Sequence, residues 1–334
     1  MRSIDFDTII SLAKGTEYSK VENGKIFFSR FSKTERNSLT YGKNISLTSA
    51  GIRLEFETDS KNLFIKTSIK DTDSHGRNFY SFDIYCNGKI LGQIKNFNKE
   101  PIYPYKKYNL FERHKSFILP DGLKKITIYF PWSVQGAVKE IKTDDNAVLK
   151  PVIKKRKLIF FGDSITEGYD SLFPSLSYSS QISDLLNAEG INKGIGGSCF
   201  MPELVSNGKI RADFIIVAYG TNDWKASDFN SFCKRCDEFF KNLSLKFPDT
   251  KIFAVSPIWR GDLYIDNKKT EKFFEIPDYI EKTVFQYKNM IFINGFDFIP
   301  AKEIYFRDKY LHPNDKGFDL YKKALIKNIT EELK

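Results

Sequence analysis

Lys157-Leu158-Ile159-Phe160-Phe161-Gly162-Asp163-Ser164-Ile165-Thr166-Glu167-Gly168 decides how this chain is read. Four apolar residues after a basic run predict a strand buried on both faces, and Gly162-Asp163 ends it sharply. Ser164 then stands at the strand's carboxyl end, where open α/β sheets place their chemistry. Alone, the serine reads equally well as a turn residue capping the next helix.

Working outward, the stretch belongs to a C-terminal half that alternates strand and helix. Leu158 to Phe161, Phe214 to Ala218, Ile252 to Val255 and Ile291 to Asn294 read as parallel strands. Helical patterns lie near Tyr178 to Glu189, Phe229 to Phe247 and Pro277 to Tyr287, and a last helix runs from about Asn314 to Leu333. The expected fold is α/β, an α/β/α sandwich on a parallel sheet over residues 155–334. Before it, residues 1–148 form the other half, and from about residue 24 to 148 they show period-two alternation, as in Ile52, Leu54 and Phe56 against Arg53, Glu55 and Glu57. Further short runs follow at Leu63 to Ile69, Phe79 to Cys86, Ile90 to Ile94, Ser116 to Leu119 and Ile126 to Phe130. Asn87-Gly88 between two of them predicts a hairpin. This half is expected to be an antiparallel β-sandwich or jelly roll, with a short helix around Thr8 to Leu12. Residues 144–157, with Pro151 and the run Lys154-Lys155-Arg156-Lys157, read as the linker.

Composition limits the function classes. The 334 residues are 41% hydrophobic and 28% charged, which suits a folded globular chain. A net charge of +10 is spread in ones and twos, so a solvated basic surface is expected and not a nucleic-acid face. The acidic start, Met1 to Asp7, does not read as a signal peptide, and no run approaches the roughly 18 apolar residues of a membrane span. A cytoplasmic location without membrane partners is the expectation. Four cysteines are too few for a disulfide framework. Cys233-x-x-Cys236 lies in a helical pattern without a second ligand pair, so neither metal nor cofactor is expected.

The strand ends carry a constellation. After Gly162-Asp163-Ser164 come Asn192-Lys193-Gly194-Ile195-Gly196-Gly197, Gly220-Thr221-Asn222-Asp223 and Asp308-Lys309-Tyr310-Leu311-His312-Pro313. In this order and spacing they resemble the SGNH (GDSL) family of serine esterases and acyl hydrolases, over about residues 155–334. Two-domain bacterial members with a β-sandwich in front are similar to the chain throughout, including Ser256-Pro257-Ile258-Trp259-Arg260. The resemblance implies a flavodoxin-like domain, with Ser164 as nucleophile and His312 as base. It assigns the oxyanion donors to the backbone N–H of Ser164, the backbone N–H of Gly197, with Gly196 as its alternative, and the Asn222 side-chain amide. The family's acid sits three residues before the histidine, a position held here by Lys309. Asp308, four before, is the candidate acid, and a backbone carbonyl orienting His312 in a Ser-His dyad is the alternative. Asp163, Tyr219, Trp224 and Trp259 are candidates to line the substrate. The implied activity is carboxylic-ester hydrolysis through an acyl-enzyme, removing short acyl groups such as acetyl from a small-molecule or carbohydrate ester. An O-acyltransferase and a catalytically silent glycan-binding protein are the rivals.

Overall fold

The computed structural model describes residues 1–332 except 73, 209, 210, 227, 265 and 266. The chain divides into two compact units, and the division is not a single cut. The first comprises Met1–Phe31, Asn44–Lys155 and Leu172–Ser175, and the second comprises Ser32–Lys43, Arg156–Ser171 and Leu176–Lys334.

The first unit is an antiparallel sandwich of two sheets. One holds, in spatial order, Tyr18–Glu22, Lys25–Ser29, Gln135–Thr143, Asn62–Lys70 and Arg113–Ile118. The other holds Lys150–Pro151, Arg53–Thr58, Lys124–Tyr129, Ser81–Cys86 and Lys89–Lys95. Alternate residues of both sheets, among them Leu54, Phe56, Leu63, Ile65, Ile126 and Ile128, share one apolar core. The Asn87-Gly88 hairpin forms as expected, with φ of 49° and 76°. The other face of the Arg53–Thr58 strand departs from the expectation of a half-exposed strand. Glu55 is fully buried against Arg53, Lys125 and Lys154 at 3.6, 3.0 and 3.1 Å. Burial alone would raise the Glu55 carboxyl, but the three cations outweigh it and hold it low. The stretch 144–157 holds the boundary between the units, at Lys155/Arg156, and its residues up to Lys155 are part of the first unit: Lys150–Pro151 adds a strand, and Lys154 neutralises a buried charge. In the same unit Asp83 accepts from the N–H and hydroxyl of Ser175, at 3.1 and 2.7 Å.

The second unit is built on five parallel strands. Their spatial order is Ala188–Gly194, Arg156–Gly162, Phe214–Ala218, Lys251–Val255 and Met290–Ile293. The first strand in sequence thus lies second in space, between the next two, so the strand order reverses there while all pairings stay parallel. Gly162 at its end pairs with Gly194 on one side and Ala218 on the other. Aliphatic and aromatic residues of these strands, including Leu158, Phe160, Ile216 and Phe253, pack against the Tyr178–Leu185 and Asp315–Glu332 helices.

Two helix boundaries differ from the sequence expectation. The helix expected to reach Glu189 ends at Leu185, because Ala188–Gly194 is taken into the sheet. The helix expected to start at Pro277 runs from Asn267 to Val284 with Pro277 inside it. The last helix is described from Asp315 to Glu332, and Leu333 lies outside the described residues. No described helix is long and apolar enough to cross a membrane.

Candidate active site

Ser164 opens a one-turn helix, Ser164–Glu167, directly after the strand at which the strand order reverses. Gly162 makes the turn sterically possible: a Cβ there would lie 2.0 Å from Thr166 Oγ1 and 2.6 Å from the Ala218 carbonyl oxygen. Asp163 caps the helix, its Oδ1 accepting from the Ile165 N–H at 2.9 Å. Burial pushes the Asp163 carboxyl up to about 7, with the Ile165 N–H pulling the other way. Asn192 ties this turn to the neighbouring strand, donating to the Thr166 carbonyl at 2.7 Å and accepting from the Gly194 N–H at 2.9 Å.

The loop before the last helix brings a histidine to the serine. His312 Nε2 lies 2.9 Å from Ser164 Oγ, and His312 Nδ1 lies 2.6 Å from Asp308 Oδ2. The other Asp308 oxygen accepts three backbone N–H groups, from Tyr310 at 3.1 Å, Leu311 at 2.9 Å and His312 at 3.0 Å. Burial opposes the charge on Asp308. The His312 bond and the Leu311 and His312 amides outweigh it and hold the carboxyl at about 2. An ionised carboxylate only accepts, so Nδ1 carries a proton, and in the neutral form of the ring the Nε2 lone pair faces the hydroxyl. The extra residue, Lys309, is absorbed by a left-handed backbone at φ 73°, and that lets Asp308 reach from four residues away. Asp170, fully buried, places Oδ2 3.7 Å from the same Nδ1, and the Tyr169 ring lies 5.6 Å from the imidazole. Asp170, Asp308 and His312 are the group of described residues close enough to share a cation. The short Nδ1–carboxylate hydrogen bond already occupies that spot.

The candidate oxyanion donors differ in what already holds them. The Gly196 N–H is committed to Glu167 Oε2 at 2.7 Å. That bond disfavours Gly196 as an oxyanion donor. Gly197 follows it, exposed and at φ 78°. Asn222 Nδ2 donates one hydrogen to the Ser198 carbonyl at 2.9 Å, which fixes the amide plane and leaves its second hydrogen. The turn carrying Asn222 is gripped from below by Arg260, which donates to the Thr221 carbonyl and pairs with Asp262 at 2.6 and 2.9 Å. Asp223, raised to about 6 by burial, is held by the Phe200 N–H and Arg235.

Of the four candidate substrate-lining residues, three are interior. Asp163 serves as the helix cap, Tyr219 packs on Phe200 and Phe239, and Trp224 packs on Phe273 beneath Arg260. Trp259 is different, half-buried on Phe306 at the edge of an open cleft of about 570 Å³. Lys309 and Tyr310 line the same cleft with Asp262 and Glu303, so the loop that carries His312 forms one of its walls. Sequence reasoning missed Glu167, Arg260 and Asp170. Glu167 and Asp170 sit just after Ser164, and Arg260 stands in the quoted Ser256 to Arg260 stretch, but nothing in their spacing separates them from surface charges.

Residues 160–320 match the model of the GDSL-like lipase/acylhydrolase family. No curated protein matches the chain. Among solved structures it resembles the salicylyl-acyltransferase SsfX3 of a tetracycline biosynthetic pathway, with a TM-score of 0.80 and 19% identity, over 96% of this chain and 94% of that one. A GDSL-like lipase candidate of Bacteroides ovatus gives 0.76 and 21%, over 96% and 95%. A family two carbohydrate esterase of Clostridium thermocellum, solved with cellohexaose, gives 0.64 and 15%, over 86% and 94%. At these identities the likeness is one of fold, sandwich and parallel-sheet domain together.

Proposed function

Because the chain belongs to the GDSL-like lipase/acylhydrolase family through residues 160–320, we propose that it hydrolyses carboxylic esters with Ser164 as nucleophile. The observation that carries this reading is the continuous chain from Ser164 Oγ through the His312 ring to Asp308, at 2.9 and 2.6 Å. In the reaction His312 Nε2 takes the hydroxyl proton as Oγ attacks the ester carbonyl. Asp308 stabilises the resulting imidazolium, and His312 then protonates the leaving alcohol. Water repeats the sequence on the acyl-enzyme. The Ser164 and Gly197 amides and the Asn222 side chain are the donors for the tetrahedral oxyanion.

The substrate we assign is a short acyl ester, such as an acetyl ester, of a carbohydrate. The cleft walled by Lys309 and Tyr310 of the loop that leads to His312 supports this: it offers the Trp259 ring for stacking, and Glu303 and Lys309 for hydroxyl groups. An acyl-enzyme can also be discharged by a sugar hydroxyl, so the test includes acceptor alcohols. It measures p-nitrophenyl esters of increasing acyl length and acetylated sugars on wild type and Ser164→Ala. We expect acetyl esters to lead the panel, and Ser164→Ala to lose at least about 10³-fold in kcat while a fluorophosphonate labels wild type alone. Retained activity in Ser164→Ala would end the serine mechanism.

A further inference from the structure

The second unit includes a segment from far upstream, Ser32–Lys43, and that segment reaches the turn that holds the oxyanion donor. Its start is a short helix, Lys33–Ser38, closed by a capping box in which the Ser32 hydroxyl accepts the Glu35 N–H and Glu35 accepts the Ser32 N–H. The same Glu35 oxygen takes Lys193 Nζ at 2.8 Å, and both side chains are about 1% exposed. Farther along, Thr40 Oγ1 donates to Glu203 at 3.0 Å. Gly42, at φ 71°, lies so close to Ile195 that a Cβ would fall 2.4 Å from its Cγ2. Between these two anchors the Tyr41 hydroxyl donates to the Gly196 carbonyl at 3.1 Å.

That carbonyl and the Gly197 N–H belong to one peptide group. A trans peptide is rigid and points its C=O and N–H in opposite directions, so fixing the oxygen fixes the direction of the hydrogen. The group is flanked by two glycines, whose broad φ/ψ freedom makes a peptide flip sterically cheap, and a flip would turn the N–H away from the reacting carbonyl. The preceding peptide is already held, by Glu167 on the Gly196 N–H and by Ser198 Oγ on the Ile195 carbonyl at 2.7 Å. The geometry points to Tyr41 as a positioning residue for the Gly197 oxyanion donor, an inference that rests on the ester-hydrolase reading above. A hydrogen bond accepted at the carbonyl also polarises the peptide and strengthens its N–H as a donor. Burial, with Cys199 and Glu167 nearby, raises the Tyr41 phenol above its ordinary value, so it stays a donor through neutral pH.

The test uses the full chain with Tyr41→Phe, which removes one oxygen from a side chain 42% exposed and leaves the ring in place. Losing an oxyanion donor outright costs about 10²–10³ in turnover. Losing what aims it should cost less, roughly three- to tenfold in kcat on p-nitrophenyl acetate, within the range of one neutral hydrogen bond. KM and thermal midpoint should stay near wild type. A boronic acid that forms a tetrahedral adduct on Ser164 should bind more weakly by the same factor. Asn37→Ala, an exposed change in the same segment that leaves both anchors and the Tyr41 hydroxyl, should keep wild-type kcat. An unchanged kcat in Tyr41→Phe beside an active wild type overturns this inference alone, as does a rise in KM without a fall in kcat. A wild type that neither hydrolyses esters nor labels at Ser164 overturns the reading beneath it as well.

Discussion

Asp308→Asn separates a triad from a dyad, and the geometry sets the size of the effect. The carboxylate spends one oxygen on three backbone amides and the other on His312 Nδ1. An asparagine keeps the three amide bonds by placing its carbonyl oxygen there, so the loop should hold. Its NH₂ then faces the Nδ1 proton, two donors at 2.6 Å. The ring escapes by moving that proton to Nε2, which makes it a donor toward Ser164 and removes the base. The expected loss is about 10³–10⁴ in kcat, equivalent to roughly 4–5.5 kcal/mol of barrier, with little change in KM. Stability should change with pH as well. Asp308 sits at about 2 in the fold against an ordinary 3.8. Its lowered value contributes about 2 kcal/mol that is present above pH 4 and lost as pH falls toward 2. The variant should therefore be less stable at pH 7 and show a shallower acid transition. The assay is steady-state kinetics with p-nitrophenyl acetate and fluorophosphonate labelling across pH 5–9. A kcat within tenfold of wild type would refute the argument and turn attention to Asp170, whose Oδ2 is 3.7 Å from the same nitrogen.

Two further outcomes concern buried charge. Lys193→Met leaves the Glu35 carboxyl buried without its cation, and should cost about 3–5 kcal/mol in denaturant melts, whereas Lys193→Met with Glu35→Leu should recover much of it, less the lost capping box. Asp163→Asn should stabilise the protein at alkaline pH. The native Asp163 carboxyl, raised to about 7, binds a proton that the unfolded chain releases near 4, so stability falls as pH rises through that window, by up to about 4 kcal/mol. Asparagine caps as well as aspartate without that penalty. The fall in melting temperature from pH 5 to 8 should shrink to the smaller slope that Asp223, at about 6, still contributes. A slope equal to wild type would show that Asp163 is not its source.

The parts that could be read from sequence are those set by local pattern. Four of the five parallel strands declare themselves through apolar runs, whereas Ala188–Gly194, with Glu189, Asn192 and Lys193, does not; Asn87-Gly88 declares itself through its positive-φ turn. The missed strand Gln135–Thr143 lies at the centre of its sheet, yet its apolar residues Ala137, Val138 and Ile141 break period two. A bulge between Val138 and Glu140 shifts the register, and that shift hides the alternation. The Tyr18–Ser29 hairpin carries its own Asn23-Gly24 signal, at φ 51° and 67°, which passed unread among charged residues. At the site, the pairing of Ser164 with His312 was legible because order and spacing survive in a linear chain. The distance from Asp308 to Nδ1 was not, since it depends on the left-handed turn at Lys309. Nor was Tyr41, because nothing local to it speaks of a partner 155 residues away.

The exchange of segments between the two units bears on how such a chain can be cut and recombined. A fragment starting at Arg156 would carry every recognisable motif and still lack Glu35, leaving the Lys193 ammonium stranded in an apolar interior. It would also take Leu172–Ser175 away from Asp83. Motif boundaries and folding boundaries are thus different lines on this sequence. Anyone borrowing the parallel-sheet unit for a fusion would have to carry residues 32–43 with it, as an N-terminal graft or by circular permutation, to obtain a unit with its interior charges matched.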